Sequence, residues 1–482
     1  MNRKTLLRVL WASCWMLAAG IARSQPAAGP VWSLQRCLEH ARTSNLALKQ
    51  AELRMSSAQS NLEQARDGRL PNLNGGASAF SRSGFFVDPF TNTLKQQSVL
   101  TSDVNLSTGV DLYAGGRITN TIRRNELGLA VSRADLDQQE NDLALNIALA
   151  YLQILQNAEL LESARLQVAS TKEQRERTRK LVEAGSAAPA DLLQVDAQIS
   201  TEELNVVTAQ NQLEMAYLSL QQLLNLDISE PFTIERVDLP DPEGEFMASP
   251  LADMYKSAEN TQPFIRSADL SVQAAEVDVQ LAKGAYYPTL SFGAGVGSGY
   301  SSGRRGQTGE FTELPGNPIP VQINDQPATL EIPQLIPVTA PISYFEQIGE
   351  NISASLSLRL NVPIYNRRQA KTSLELAQIG QQNAVYAAEI QRQNLKQTIQ
   401  QAYVDARGAY SSYLATRRQT EAATLNFQNI DRQFNVGLVN SLDYLVAKNN
   451  LNRARFDLVR AKYTYIFRLK VLDFYQGKPI GF

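Results

Sequence analysis

The 482-residue chain predicts a mainly α-helical protein with a small transmembrane β-barrel, its long antiparallel coiled-coil helices duplicated and four strands supplied per protomer. Three observations carry this expectation: a heptad stripe that recurs 252 residues later, helix-to-strand switches marked by proline, and an export signal ahead of both. The stripe comes first because an internal repeat decides how everything else is divided.

Alternating steps of four and three from Leu143 give Ile147, Ala150, Ile154, Asn157, Leu161, Ala164 and Val168. All but Asn157 are small or apolar, the period-3.5 seam of a coiled coil. The second copy reads Leu395, Ile399, Ala402, Ala406, Ala409, Tyr413, Thr416 and Thr420, weaker at its end but in the same register. Two structural repeats follow, over residues 25–226 and 251–482, joined by a segment at 227–250 rich in Pro, Asp and Glu that reads as a linker lying against the helices at the equator of the helical part.

Residues 1–24 read as a signal peptide. Arg3, Lys4 and Arg8 precede an apolar run from Val9 to Ala22 that is too short to span a bilayer, and Ala22 and Ser24 supply small residues before a cleavage point. Trp11 and the early Arg8 argue against Cys14 as a lipid-attachment site. Its removal would leave Cys37 as the one cysteine, which excludes an intrachain disulfide in an oxidising compartment. Formal charge is near balance at −2, and removing four basic residues and no acid makes it more negative. No basic surface for nucleic acid is indicated.

Within each repeat the elements follow in one order. The first helix pattern runs through Leu34, Leu38, Ala41, Leu46, Ala51, Leu53, Ala58, Leu62 and Ala65, and reappears 217 residues on from Leu251 to Ala282. Each ends at Leu-Pro or Tyr-Pro, at Pro71 and Pro288, where proline stops the helix and favours extended backbone. The period then changes to two. Strands are expected at about 73–82, 103–113, 289–298 and 351–364, each with one apolar and one small polar face, a pattern suited to a membrane barrel. Loops of Gly, Pro, Ser and Asn separate the strands of each pair. The second loop, about 297–350, carries Pro315, Pro318, Pro320, Pro327, Pro333, Pro337 and Pro341 and is expected to be partly extended or mobile. Each repeat then enters a proline-free helix of about 68 residues, roughly 100 Å at 1.5 Å per residue. Turns at Gly185–Pro189 and Gly437–Ser441 lead to returning helices.

Four strands cannot close a barrel, and open sheet edges in lipid leave backbone groups unsatisfied. Association of copies is therefore required; three would supply twelve strands and a bundle of long helices. Catalysis finds no support in the residues. The single histidine, His40, has no cluster of ligands beside it, and the Gly293, Gly295, Gly297, Gly299 series alternates at strand period with no helix after it, so it cannot cradle phosphate. No metal site and no cofactor is called for. A periplasmic coiled-coil adaptor is the other reading of the hairpins, but it needs neither the two strand pairs nor the duplication.

The duplicated helix–Pro–strand–loop–strand–helix order, Val436-Gly437-Leu438 at the second turn, Asp443 and Leu445 after it, and Asn452, Ala454, Leu458, Ala461 and Tyr463 beyond resemble the TolC-type outer-membrane efflux proteins over about residues 32–477. The resemblance implies a homotrimer in outer-membrane lipid with a helical tunnel in the periplasm. It implies docking by the hairpin tips onto a periplasmic adaptor (membrane fusion) protein and, through it, coupling to an inner-membrane pump of the proton-driven or ABC type. The function implied is passive conduction in tripartite efflux or type I secretion, with the cargo open between lipophilic drugs, metal ions and protein.

Candidate functional residues are then rings of side chains. Asp191 and Asp443, each six residues past a tip glycine, would place carboxylates at the closed end, where they favour cations; each also offsets the dipole of its helix. In the family pattern a tyrosine and an arginine stand where Phe434 and Val439 do here, and Val446 replaces a second acid. The gate is therefore expected to rest on apolar packing more than on ion pairs. Gly185, Ser186, Val436, Gly437 and Leu438 match the adaptor-contacting tips, although Ala184-Gly185-Ser186 departs from the pattern.

Overall fold

The computed structural model describes residues 31–478 apart from 88–91, 93, 97, 228–231, 238, 243–249 and 324–325. The expected signal peptide, with Cys14, and part of the linker lie outside the described residues. The chain divides into two compact units. One comprises Met1–Ala58, Gly128–Val272 and Ala384–Phe482; the other comprises Gln59–Leu127 and Gln273–Asn383.

In chain order, β1 (Val31–Trp32) leads to α1 (Leu34–Ser44) and α2 (Leu46–Asp67), then β2 (Asn72–Arg82), β3 (Phe85–Val87), β4 (Leu94–Gln96) and β5 (Val99–Tyr113). The long hairpin α3 (Arg117–Glu183) and α4 (Pro189–Leu224) closes the first repeat, and β6 (Thr233–Ile234) follows. The second repeat has α5 (Leu251–Thr261), α6 (Pro263–Lys283), a short 3₁₀ turn, β7 (Thr289–Ser301), β8 (Arg305–Leu314), β9 (Ile319–Ile323), β10 (Gln326–Leu330) and β11 (Gln334–Pro341). It ends with α7 (Tyr344–Glu350), β12 (Ser353–Asn361) and the hairpin α8 (Gln369–Asn435) and α9 (Ser441–Tyr475). Helices α3 and α8 are both 67 residues long and start 252 residues apart.

The opening helix of each repeat, read from sequence as one element, is broken. Asn45 is extended at the break and its Oδ1 accepts from the amides of Ala47 and Leu48, so it caps α2. Its Nδ2 donates to the Leu223 carbonyl at 2.9 Å, and Ser44 Oγ donates to that of Leu224 at 2.7 Å. The equivalent break falls at Gln262, just before Pro263, whose ring removes a helical donor. Gln262 is buried and donates to the Phe474 carbonyl. Both kinks thus use a side-chain amide to satisfy carbonyls that the last turn of a returning helix leaves open.

The heptad seam is the core of the helical unit. Ile147, Ile154, Tyr151 and Leu155 pack with Leu220 and Leu224 of α4 and with Trp32 and Cys37; Leu395, Ile399, Ala402 and Ala406 pack with Met254, Ala258 and Leu472. Asn157, the polar break in the stripe, is buried but satisfied: it donates to the Gln212 carbonyl at 3.0 Å and accepts from Gln153. The linker is tied to this core by parallel pairing of β1 with β6 and by Tyr151, whose hydroxyl donates to the Glu235 carbonyl at 2.7 Å.

The other unit holds a four-stranded antiparallel sheet, order β12-β7-β5-β2. Register puts Leu358 beside Phe292 and Val110, and Leu356 beside Ala294, Thr108 and Leu73. One residue on, Ser357, Gly293, Gly109 and Asn72 form a row on the opposite face, as do Ser355, Gly295, Ser107 and Asn74. The glycines make room for the polar side chains: a Cβ on Gly293 would lie 2.9 Å from Ser357 Oγ, and one on Gly76 2.8 Å from Asn105 Oδ1, so either side chain would have to turn aside. Leu73, Leu106, Leu356, Leu358 and Leu360 are exposed on the apolar face. An exposed apolar row opposite a small polar row is what a sheet between lipid and a lumen needs, and it disfavours an ordinary soluble hairpin.

Three strands have limits that differ from those read in sequence. β5 starts at Val99 and β7 runs to Ser301, because their ladder continues from Thr101 to Ser301. β12 is confined to Ser353–Asn361, since Asn351 caps α7 and Pro363 has no donor to extend the ladder. The proline-rich 297–350 segment is built rather than merely extended. β8 and β11 form a two-stranded ribbon with a bulge at Pro337/Thr339, and β9 pairs with β10. Pro320, Pro327, Pro337 and Pro341 lie in these ribbons, where every strand has a free edge that needs no donor.

Candidate functional site

The two hairpin tips are made by the same backbone device. Gly185 has φ of 71° and Gly437 of 76°, the left-handed region in which a side chain is strained. Ser186 N–H bonds the Leu181 carbonyl and Gly185 N–H that of Val182; Leu438 and Gly437 repeat this onto Gln433 and Phe434. Each α-helix therefore ends in a Schellman motif. A Cβ at either glycine would meet nothing within 4 Å, so the constraint is conformational within this chain and the tip surface is open. Ser186, Val436 and Leu438 are exposed beside the glycines.

The returning helices start differently, and this divides the two acids. Asp191 Oδ2 accepts from the Ala188 amide at 3.2 Å, since Ala188 has no side-chain acceptor to cap α4. Its Oδ1 accepts from Ser441 Oγ at 2.6 Å, a link from α4 to α9. On α9, Asn440 does the capping, accepting from the Asp443 amide at 2.8 Å, which leaves the Asp443 carboxylate exposed. Asp191 is thus half-buried and engaged, while Asp443 faces outward.

Behind the tips lies an apolar cluster. Tyr444 and Leu445 of α9 are buried with Val195 and Ile199 of α4, and Phe427, Ile430 and Phe434 of α8 pack against them. The rings of Phe434 and Tyr444 are 4.7 Å apart and those of Phe427 and Tyr444 5.5 Å. Phe434 is thus half-buried against Tyr444; Val439 is half-buried in the turn and Val446 is exposed. Among the described residues no ion pair joins one long hairpin to the other; the links are Ser441–Asp191, Arg177–Asn435 at 3.1 Å and the Gln198–Asn449 amide pair at 3.0 Å.

Sequence reasoning did not find Tyr444, Lys448 or Glu202. Lys448 is 3% exposed and its Nζ has no hydrogen-bond partner. Burial pushes its ammonium below the ordinary lysine range, opposed by Glu202 of α4, Glu173 of α3 and Asp431 of α8, while Arg177 of α3 adds to the lowering. Glu202 is 4% exposed; its Oε1 accepts from Gln167 at 2.7 Å and Gln198 at 2.8 Å, while Oε2 has no partner. It borders a cavity of about 570 Å³ between α3, α4 and α9 that Asn452, Arg453 and Asp457 also line. The signal was a lysine at an i+4 position from Tyr444, inside a run otherwise read as seam.

Comparison with known proteins agrees with this architecture. The family described as Outer membrane efflux protein matches residues 37–226 and 254–477. "Outer membrane protein TolC" of Escherichia coli (strain K12) is 23% identical over 440 residues, covering 90% of this chain and 80% of that protein. "Pyoverdine export outer membrane protein OpmQ" of Pseudomonas putida is 21% identical over 434 residues, covering 88% and 81%. Among solved structures, CusC superposes with a TM-score of 0.73 at 17% identity, covering 94% of each chain. The open-state MtrE outer membrane channel of Neisseria gonorrhoeae gives 0.69 at 18%, covering 92% of this chain and 89% of that one. On these matches, which span both repeats, the chain belongs to the outer membrane efflux protein family.

Proposed function

We propose that three copies of this chain form the outer-membrane duct of a tripartite export assembly, passing cargo from an inner-membrane pump and a periplasmic adaptor to the outside. The observation that carries the reading is the four-stranded sheet with one lipid-compatible face, one small polar face and two open edges, in a chain whose remaining mass is long helical hairpin. β2 and β12 run in opposite directions, so β12 of one copy pairs with β2 of the next and the barrel closes antiparallel throughout. Twelve strands result. The function is conduction, and no side chain is assigned a chemical step.

In this reading Gly185, Ser186, Val436, Gly437 and Leu438 are the adaptor-facing tips. Asp443 and, behind it, Asp191 ring the periplasmic entrance, with Phe434, Val439 and Val446 contributing apolar contacts that hold it narrow. Asp443 is the stronger candidate for a cation-selecting ring because Asp191 spends its oxygens on Ala188 and Ser441. Asp227–Pro250 is the equatorial linker, with residues 25–226 and 251–482 as the two repeats.

A photo-crosslinker at Leu438, in cells carrying the full chain, tests the docking. Capture of an adaptor partnered with a proton-driven pump means small-molecule efflux; an adaptor partnered with an ATP-driven transporter means protein or peptide secretion. Intact outer-membrane trimers that capture neither would overturn the tip assignment.

A further inference from the structure

The outer end of the sheet carries a feature that conduction does not require. Helix α7 stands between β11 and β12 and is bolted to the end of β7. Gln347 is fully buried, accepts from the Ser301 amide at 3.0 Å and donates to the carbonyls of Ser301 at 3.1 Å and Ile342 at 3.0 Å. Asn351 donates to the Gly299 carbonyl, and Ser298 to that of Ile348. On this fixed mount Phe345 is 85% exposed, among the most exposed of the large apolar side chains, with its ring edge-on to Tyr344 at 5.5 Å.

A second apolar group stands at the other edge of the same sheet. β2 ends at Arg82, and the ribbon β3–β4 begins three residues later with Phe85, 70% exposed; Val87 and Leu94 are exposed beside it. The opposite edges of one sheet thus end, at the same pole, in exposed apolar groups. The shared pole follows from the register: β12 begins at Ser353, level with Gly76 of β2, and β2 runs six residues further toward that pole to Arg82.

We propose that α7 of one copy and the β3–β4 ribbon of the next form an outer clasp across each barrel seam, with Phe345 packed against Phe85 and Leu94. This rests on the three-copy reading above, because pairing β12 with the β2 of another copy is what brings α7 and that copy's ribbon to one seam at the same end of the sheet. The occupant is a second copy of this chain because the contact continues an edge pairing that lipid enforces, at the two edges the sheet leaves open. The clasp ties the seam at the membrane surface, where the ladder alone would fray. Among the described residues the first repeat has no counterpart of α7; its shorter loop supplies the ribbon.

The experiment places p-benzoylphenylalanine at Phe345, and separately at Ser357 in mid-β12, in the full-length protein in intact outer membranes. After irradiation the Ser357 position is expected to capture β2 of another copy. The Phe345 position is expected to shift the protein to twice the protomer mass, with the link mapped to residues 83–96. Adding Phe85→Ser should abolish the Phe345 adduct and leave the Ser357 adduct in place. Capture at Ser357 with lipid or residues 305–341 taken at Phe345 overturns the clasp and leaves the trimer standing. No capture at either position overturns both.

Discussion

Gly437→Ala separates two demands on the same glycine. The backbone there has φ of 76°, which costs an L-residue about 1–2 kcal/mol. The added Cβ meets nothing within 4 Å, so no clash adds to that cost within the chain. The Schellman bonds from Leu438 to Gln433 and from Gly437 to Phe434 survive if the turn keeps its shape. Asparagine tolerates the left-handed region better than alanine and carries more bulk. The pair of substitutions therefore moves strain and bulk in opposite directions. Stability, read as the melting of purified protein, should fall by about 1 kcal/mol for Gly437→Ala and by less for Gly437→Asn. Adaptor capture at Leu438 should fall for both and further for Gly437→Asn. Recovery of capture by Asn in step with stability would refute the reasoning, leaving the glycine as a turn-former and nothing more.

Three further outcomes are expected. Asp443→Asn should lower cation preference, seen as a smaller reversal potential across a salt gradient in planar bilayers; an unchanged potential removes Asp443 from the pore. Tyr444→Ala should cost about 3–5 kcal/mol, since it empties the centre of the tip cluster, whereas Tyr444→Phe keeps both ring contacts and should cost under about 1 kcal/mol; equal denaturant midpoints for the two would mean the cluster does not hold the tip. Lys448 has a folded-state pKa below its ordinary 10.5, so between those values the unfolded chain binds more protons and stability rises with pH. Lys448→Met should remove that alkaline rise, and parallel stability–pH curves for the two proteins would show that the buried ammonium is not titrating as described.

The duplicated plan was legible because it is written in spacing. The 252-residue offset returns in the equal lengths of α3 and α8, and proline marked both switches from helix to strand. The breaks at Asn45 and Gln262 were not legible. Helical period continues through both, and the bonds that hold the kinks come from Leu223, Leu224 and Phe474, far away in sequence. The proline-rich segment was misjudged for a related reason: proline opposes a central strand, and nothing local says that a ribbon has only edges. At the tips, the glycines and acids could be named in advance. That Asp191 is engaged and Asp443 exposed depends on a capping difference, Ala188 against Asn440, whose effect appears only with Ser441 across the hairpin gap. Lys448 was hidden by its neighbours, since a lysine in an amphipathic run reads as solvated until four helices are seen around it.

The two bare margins of the sheet have a consequence for how the protein comes into being. On the three-copy reading, a single copy in lipid has no finished fold to reach, so the last step of folding is an encounter between chains, and its yield depends on how many are present. Expression level becomes a folding variable. A copy with a sound β2 but a damaged β12 still engages a healthy neighbour and removes it from service, so mutations at these margins should be dominant while those in the helical seam should be recessive.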